Sequence, residues 1–204
     1  FKNKVFAEFS SSFPQDTTYD HCGNEIIIPA ASGVSNASAM NTVAYPDSKP
    51  AIFKCSINNG AINIGDQKEF IIYVINNGSD PLNTTLTDYL ADNHLENIDS
   101  ISYYSGTVPA DYFTGCGFLL TTITDSLISG YSASFDGVDS WDITIPPDCD
   151  FGQYNMLAIQ FKATQLPALS GSNCAHIEED NLSACTTYPI IKFGRLKVDK
   201  FLNS

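Results

Sequence analysis

The chain has 204 residues, 43% of them hydrophobic and including 13 Phe and 10 Tyr, which is enough apolar material for a sizeable core in one domain. Only 16% are charged, yet the formal net charge is −13. Ten basic residues, scattered singly or in loose pairs, cannot track a phosphate backbone, and this excludes nucleic acid as a partner.

The first element in chain order is a short strand, FKNKVFAEF. Phe1, Val5, Ala7 and Phe9 take one face and Lys2, Lys4 and Glu8 the other. The following SSSFPQDTT reads as a hinge. Residues 1–20 are therefore expected to be an arm with a hinge, and residues 21–204 a single β-sandwich domain. An apolar strand on a tether has to be buried somewhere. It either pairs within its own domain or adds to an open sheet of another copy, as in donor-strand complementation. The opening lacks the long hydrophobic helix of type IV pilins, and no run reaches the roughly 18–20 apolar residues of a membrane span. It carries no signal peptide, as expected of a mature, processed chain or of a trimmed piece of one.

Residues 10–48 are rich in Ser, Thr, Asn, Ala and Pro, with one clear strand at 24–28. Period-two alternation then dominates. Strands are predicted at 51–57, through EFIIYVIN (69–76), and at 82–87, 98–104, 118–124, 141–145, 157–164 and 188–198. In EFIIYVIN, Phe70, Ile72 and Val74 share one face while Ile71, Tyr73 and Ile75 share the other, so this strand is expected to be central. In WDITI the core face is Trp141, Ile143 and Ile145. In LAIQFKAT it is Leu157, Ile159, Phe161 and Ala163, with Gln160 and Lys162 facing out, like Asp142 in the preceding strand. The one helical turn expected is Asp88–Asn97. Asn59-Gly60, Gly65-Asp66, Asn77-Gly78, Asp136-Gly137 and Pro146-Pro147 punctuate the strands. Many short strands with frequent turn signals mean a sandwich or a barrel.

The segment KPAIFKCSINNGAINIGDQKEFIIYVINNGSDPLNTTLTDYL (49–90) carries Gly65-Asp66, then Tyr73–Asn77 with Gly78, then Leu86-Thr87-Asp88. Trp141-Asp142-Ile143 and a long strand follow later. The pattern resembles the tandemly repeated Ig-like domain of bacterial and archaeal cell-surface proteins. That resemblance implies an all-β fold, an Ig-like antiparallel β-sandwich with an N-terminal β-strand arm. In it Asn77-Gly78 supplies the sharp strand exit, and the Asp88 side chain caps the turn that follows. The six cysteines, the single copy and the long N-terminal extension depart from a plain stalk repeat.

Cys22, Cys55, Cys116, Cys149, Cys174 and Cys185 form an even set without a C-x-x-C pair, which favours disulfides over zinc. Six cysteines allow 15 pairings. A local Cys174–Cys185 bridge closing an acidic loop is expected, with Cys22–Cys55 and Cys116–Cys149 for the rest. Asn36, Asn77, Asn83 and Asn181 begin Asn-x-Ser/Thr triplets and are glycosylation candidates, which fits a secreted, cell-surface chain.

Catalytic constellations are absent from the sequence: there is no G-x-S-x-G, P-loop or G-x-G-x-x-G. His21 beside Cys22 and His176 near Glu178, Glu179 and Asp180 lack the spacing of a nucleophile or a zincin site. Asp136, Asp139, Asp148 and Asp150 are oxygen donors that could hold calcium, though without EF-hand spacing, and solvated turn acids are the simpler reading. No other cofactor is implied. Tyr103, Tyr104, Tyr112 and Phe113 could make a platform for surface glycans; core packing is the competing role. The sequence as a whole implies a non-enzymatic extracellular structural protein. Its expected partners are copies of itself, in a filament or fibre polymerised by the N-terminal strand. The alternative is a surface adhesin or a carbohydrate- or calcium-binding module.

Overall fold

A computed structural model describes residues 50–57, 60–78, 80–148, 153–177 and 181–191, together with strands lying within 3–41. The strands, in chain order, are β1 (Asn3–Glu8), β2 (Asp16–Tyr19), β3 (Glu25–Ile28), β4 (Asn36–Asn41), β5 (Ala51–Ser56), β6 (Ile62–Asn63), β7 (Gln67–Asn76) and β8 (Leu82–Asp88). They continue with β9 (Leu95–Pro109), β10 (Ser132–Phe135), β11 (Ser140–Ile145), β12 (Gln153–Gln165), β13 (Gly171–Ile177), β14 (Leu182–Tyr188) and β15 (Ile190–Ile191). Among the described residues the helical elements are all short 3-10 turns.

Two antiparallel sheets form an Ig-like sandwich. One runs in the order β5-β7-β12-β9, the other β10-β11-β8-β13-β14. As its two-faced pattern predicts, β7 is central, paired with β5 (Ile52 opposite Val74) and with β12 (Ile159 opposite Ile72). Its inward face, Phe70, Ile72 and Val74, meets Leu157, Ile159 and Phe161 from β12 and Leu86, Trp141, Ile143, Ile145, Ala175 and Ile177 from the other sheet. These side chains are essentially inaccessible, Trp141 included at 0%. Replacing Ile159 with Ala should cost about 2–5 kcal/mol, because packed neighbours collapse only partly into the space left; a urea melt of the variant against the parent measures it.

The outward face of β7 is buried too. Ile71, Tyr73 and Ile75 lie under a second apolar cluster with Cys55, Val108, Phe118, Ile123, Met156 and Ala158. The cover is the connection from β9 to β10, which contradicts the strand expected at 118–124. The connection folds as 3-10 turns at Gly115–Gly117 and Leu120–Thr122, and its backbone pairs with the sheet at the isolated bridge of Ser105 with Thr124. Its apolar residues cover a sheet instead of joining it, so Phe118 and Ile123 are buried without a ladder. The helical turn expected over Asp88–Asn97 shrinks to a 3-10 turn at Ala91–Asn93. Leu95 already starts β9, whose pairing with β12 shifts register twice, close to Asn97 and Ser100, both at positive φ.

Of the strand expected at 188–198, Tyr188 ends β14 and Ile190–Ile191 pairs in parallel with β6, while 192–198 lie outside the described residues. The acidic loop expected between Cys174 and Cys185 is instead a hairpin of β13 and β14; its 178–180 tip lies outside the described residues. Gly171 starts that hairpin beneath Tyr188. A Cβ at 171 would sit 2.3 Å from the Tyr188 ring, so only glycine fits. The ring cannot swing aside cheaply, since its hydroxyl donates to Gln165 Oε1 at 2.7 Å.

N-terminal to the sandwich, β1 pairs antiparallel with β4 of the same chain, Val5 opposite Ala39. β2 pairs antiparallel with β3, Tyr19 opposite Glu25. Each pair forms a separate two-stranded ribbon. Phe1 and Phe9 lie outside the described residues.

Candidate functional site

The most unusual chemistry is buried between the sheets. On β5, Lys54 alternates in phase with Ile52, so its side chain points into the core, at 0% exposure. On β8, Asp88 is in phase with the buried Thr84 and Leu86. On β13, Asn173 is in phase with Ala175 and Ile177, and Ala175 lies opposite Asp88 in the ladder. One sheet thus offers Asp88 and Asn173 as near neighbours, and the facing sheet supplies Lys54.

Lys54 Nζ donates to Asp88 Oδ2, and Asn173 Nδ2 donates to that same oxygen at 3.3 Å. The ammonium also lies 5.5 Å from the centroid of the Phe70 ring and 5.2 Å from that of Phe161. Phe161 packs on Trp141, and Phe70 on Tyr188, with centroids 5.5 Å apart in each case. Asp88 Oδ1 and Asn173 Oδ1 have no hydrogen-bond partner although both are buried.

Burial dominates the electrostatics. It pushes the Lys54 ammonium down to about 8, against the opposing pull of Asp88. It pushes the Asp88 carboxyl up, with Lys54 and Asn173 opposing and Asp139 adding to the rise. Both shifts favour the same state, a neutral amine beside a neutral acid.

The Asp88 side chain does not cap the following turn, as the sequence pattern implies; that turn has no side-chain cap, and the carboxyl points inward. None of the three residues was singled out for chemistry from the sequence. A signal was present: each is a polar residue at a strand position in phase with core residues.

The disulfides differ in scale. Cys174–Cys185 joins directly opposed residues of the β13–β14 hairpin, with Cα atoms 4.1 Å apart, as expected from their spacing. Cys55–Cys116 replaces the expected Cys22–Cys55 and Cys116–Cys149 pairs. It ties β5 to the 3-10 turn at Gly115–Gly117 over the sheet's outer face, with Cα atoms 5.5 Å apart. The strand expected at 118–124 folds as cover over the sheet instead, and Cys116, in the turn just before it, comes to lie against Cys55. Cys22 and Cys149 lie outside the described residues.

Of the aromatic platform, Tyr103 and Tyr104 pack against the two apolar clusters. Phe113 packs edge-on against Phe53 and Tyr73. Tyr112 is exposed, at 68%, beside Leu119 at 69%. Both line an open cleft of about 390 Å³ with Val108, Pro109 and Phe118. Among the acids, Asp136 is a turn-former: its Oδ1 accepts the backbone N–H of Val138, Asp139 and Ser140 at 2.7, 3.1 and 3.1 Å. These bonds, the Val138 one foremost, hold its carboxyl below the usual range. Asp139 accepts from the Ser140 hydroxyl, and the Asp148 N–H donates to the Gly78 carbonyl. Asp150 lies outside the described residues, and among those described no three His, Cys, Asp or Glu side chains converge on a metal-sized site. Asn83 and Asn181 are exposed, while Asn77 is half-buried; the Asn36 side chain is not among those described.

The chain is thus an all-β, disulfide-tied antiparallel sandwich. No protein-family model matches it, and neither does any curated protein. Solved structures with which it aligns include BspA_C_mut (12% identity, TM-score 0.43, 70% of this chain and 47% of that one). Another is the serine-rich repeat protein Srr2 from Streptococcus agalactiae (12% identity, TM-score 0.45, 94% of this chain and 60% of that one). A third is the C-terminal domain of the Streptococcus pyogenes antigen I/II-family protein AspA (13% identity, TM-score 0.39, 92% of this chain and 55% of that one). The chain thus spans about half to three-fifths of the length of those it matches. Among the described residues no helix is long and apolar enough to cross a membrane.

Proposed function

We propose that this chain is an extracellular, non-enzymatic structural domain of a cell-surface protein. The observation that carries the reading is the pair of disulfides that tie a β-sandwich together, since such bonds form and persist in oxidising compartments. On intact source cells, a membrane-impermeant amine label should reach the chain, and alkylation before reduction should find Cys55, Cys116, Cys174 and Cys185 without free thiols. Labelling only after lysis, with those thiols free, would overturn the reading.

A finer reading adds self-assembly through the N-terminal strand. It is favoured by the isolation of the β1–β4 ribbon: among the described pairings β1 touches only β4, and neither strand joins a sandwich sheet. In this reading β1 leaves β4 and lends Phe1, Val5, Ala7 and Phe9 to another copy, adding backbone hydrogen bonds and side-chain pockets. Native gel filtration should show polymer for the full chain and a folded monomer once residues 1–9 are deleted. A full chain that elutes as monomer rejects assembly and favours the adhesin alternative, with the cleft at Tyr112 and Leu119 as the place to test glycans.

A further inference from the structure

We propose that Lys54 and Asn173 become joined by an intramolecular amide bond between Nζ and Cγ, with Asp88 as the catalytic proton carrier and ammonia as the leaving group. The proposal starts from placement. Lys54 Nζ and Asn173 Nδ2 donate to one oxygen of Asp88, so the nucleophile, the leaving group and the acid–base group sit within hydrogen-bond reach of a shared atom. All three side chains come from strands of a packed sandwich, and aromatic rings close off the amine. Groups so held react as if at effective molarities of about 10⁵–10⁸ M, which compensates for the poor electrophilicity of a carboxamide.

The chemistry balances without any further reagent. The ion pair first neutralises by moving one proton from Nζ to Asp88, as burial of both groups favours. The amine lone pair then attacks Asn173 Cγ, while the Asp88 O–H hydrogen-bonds to and polarises the carbonyl oxygen. As the tetrahedral centre collapses, a proton lost from Nζ passes through Asp88 to Nδ2. The Cγ–Nδ2 bond breaks, and ammonia departs. An amine and a carboxamide become a substituted amide and ammonia; nothing is oxidised or reduced, and Asp88 ends as it began the attack, protonated.

The unreacted arrangement is poorly satisfied, which gives a second argument. A buried ion pair retains a desolvation cost that its attraction repays only with good hydrogen bonding, yet Asp88 Oδ1 and Asn173 Oδ1 have no partners. In the product both charges are gone, and the protonated Asp88 can donate to the new amide oxygen, giving those two orphaned atoms a use. A cluster serving only as an ion pair would not need Asn173 on the same oxygen. The bond would connect β5 of one sheet to β13 of the other, a clamp across the core.

Intact-mass measurement of the folded protein after full reduction decides the matter. The expected mass is that of the sequence less one ammonia. Trypsin should fail to cut after Lys54, and one branched peptide should contain both Lys54 and Asn173. The reduced chain should also run faster on a denaturing gel than Lys54→Met or Asn173→Ala, each of which should show its full calculated mass. Asp88→Asn, shown folded by near-ultraviolet circular dichroism, should likewise keep the ammonia. A parent protein with full mass and separate Lys54 and Asn173 peptides overturns the proposal whatever the variants do. A folded Asp88→Asn variant that still loses ammonia overturns the role given to Asp88.

Discussion

Measured against Asn173→Ala, which keeps the unreacted pair, replacing Lys54 with Met should destabilise the fold by about 3–5 kcal/mol, because it leaves Asp88 buried without its counter-ion. Methionine fills much of the same volume against Phe70 and Phe161, so lost packing contributes little. What remains is a carboxyl with no charge partner, held by a single bond from Asn173. Asp88 would then stay protonated, a state toward which burial already pushes it. The double variant Lys54→Met/Asp88→Leu should recover a large part of the loss, since replacing a buried pair by apolar groups of similar size is often neutral or better. Asn173→Ala serves as the reference, because it keeps Lys54 beside Asp88 and, like Lys54→Met, cannot form the Lys54–Asn173 bond, so the two differ in the charge partner of Asp88. Urea melts of the three variants measure the differences. A Lys54→Met variant as stable as Asn173→Ala would show that the pair contributes nothing to the fold.

The second large effect concerns the bridge over the outer face. Removing Cys55–Cys116 by paired Ala substitution should cost about 4 kcal/mol on the chain-entropy account, given a sequence separation of 61. Removing Cys174–Cys185, with a separation of 11, should cost about 3 kcal/mol. The longer bridge also has a local task. Cys116 anchors the 3-10 segment that lays Phe118 and Ile123 over Ile71 and Tyr73, so its loss should loosen that cover first. Amide exchange should then rise in residues 110–125 and over the outer face of β7, before the main core is affected. In the Cys174 variant the exchange should stay low there, because β13 and β14 remain paired along their length. Equal exchange patterns in the two variants would contradict this division of labour.

The strands of the sandwich were legible because alternation is a local property. Trp141, Ile143 and Ile145 or Leu157, Ile159 and Phe161 declare a buried face from sequence alone, and they occupy it. The apolar character of both faces of β7 likewise announced a central strand, and it lies between β5 and β12.

What local pattern could not decide was what lies on top of a sheet. The stretch 118–124 has the composition of a strand, yet it covers β7 as 3-10 turns, because cover and strand draw on the same apolar residues. The Cys55–Cys116 pairing follows from that placement, so spacing in the chain could not predict it. The Lys54–Asp88–Asn173 cluster divides in the same way. Period two alone puts each residue on the core side of its own strand, as a polar residue out of keeping with its neighbours. That the three meet at one carboxylate oxygen depends on the β8–β13 register and on the facing of the two sheets. Long-range pairing sets both, and no short window of sequence contains them.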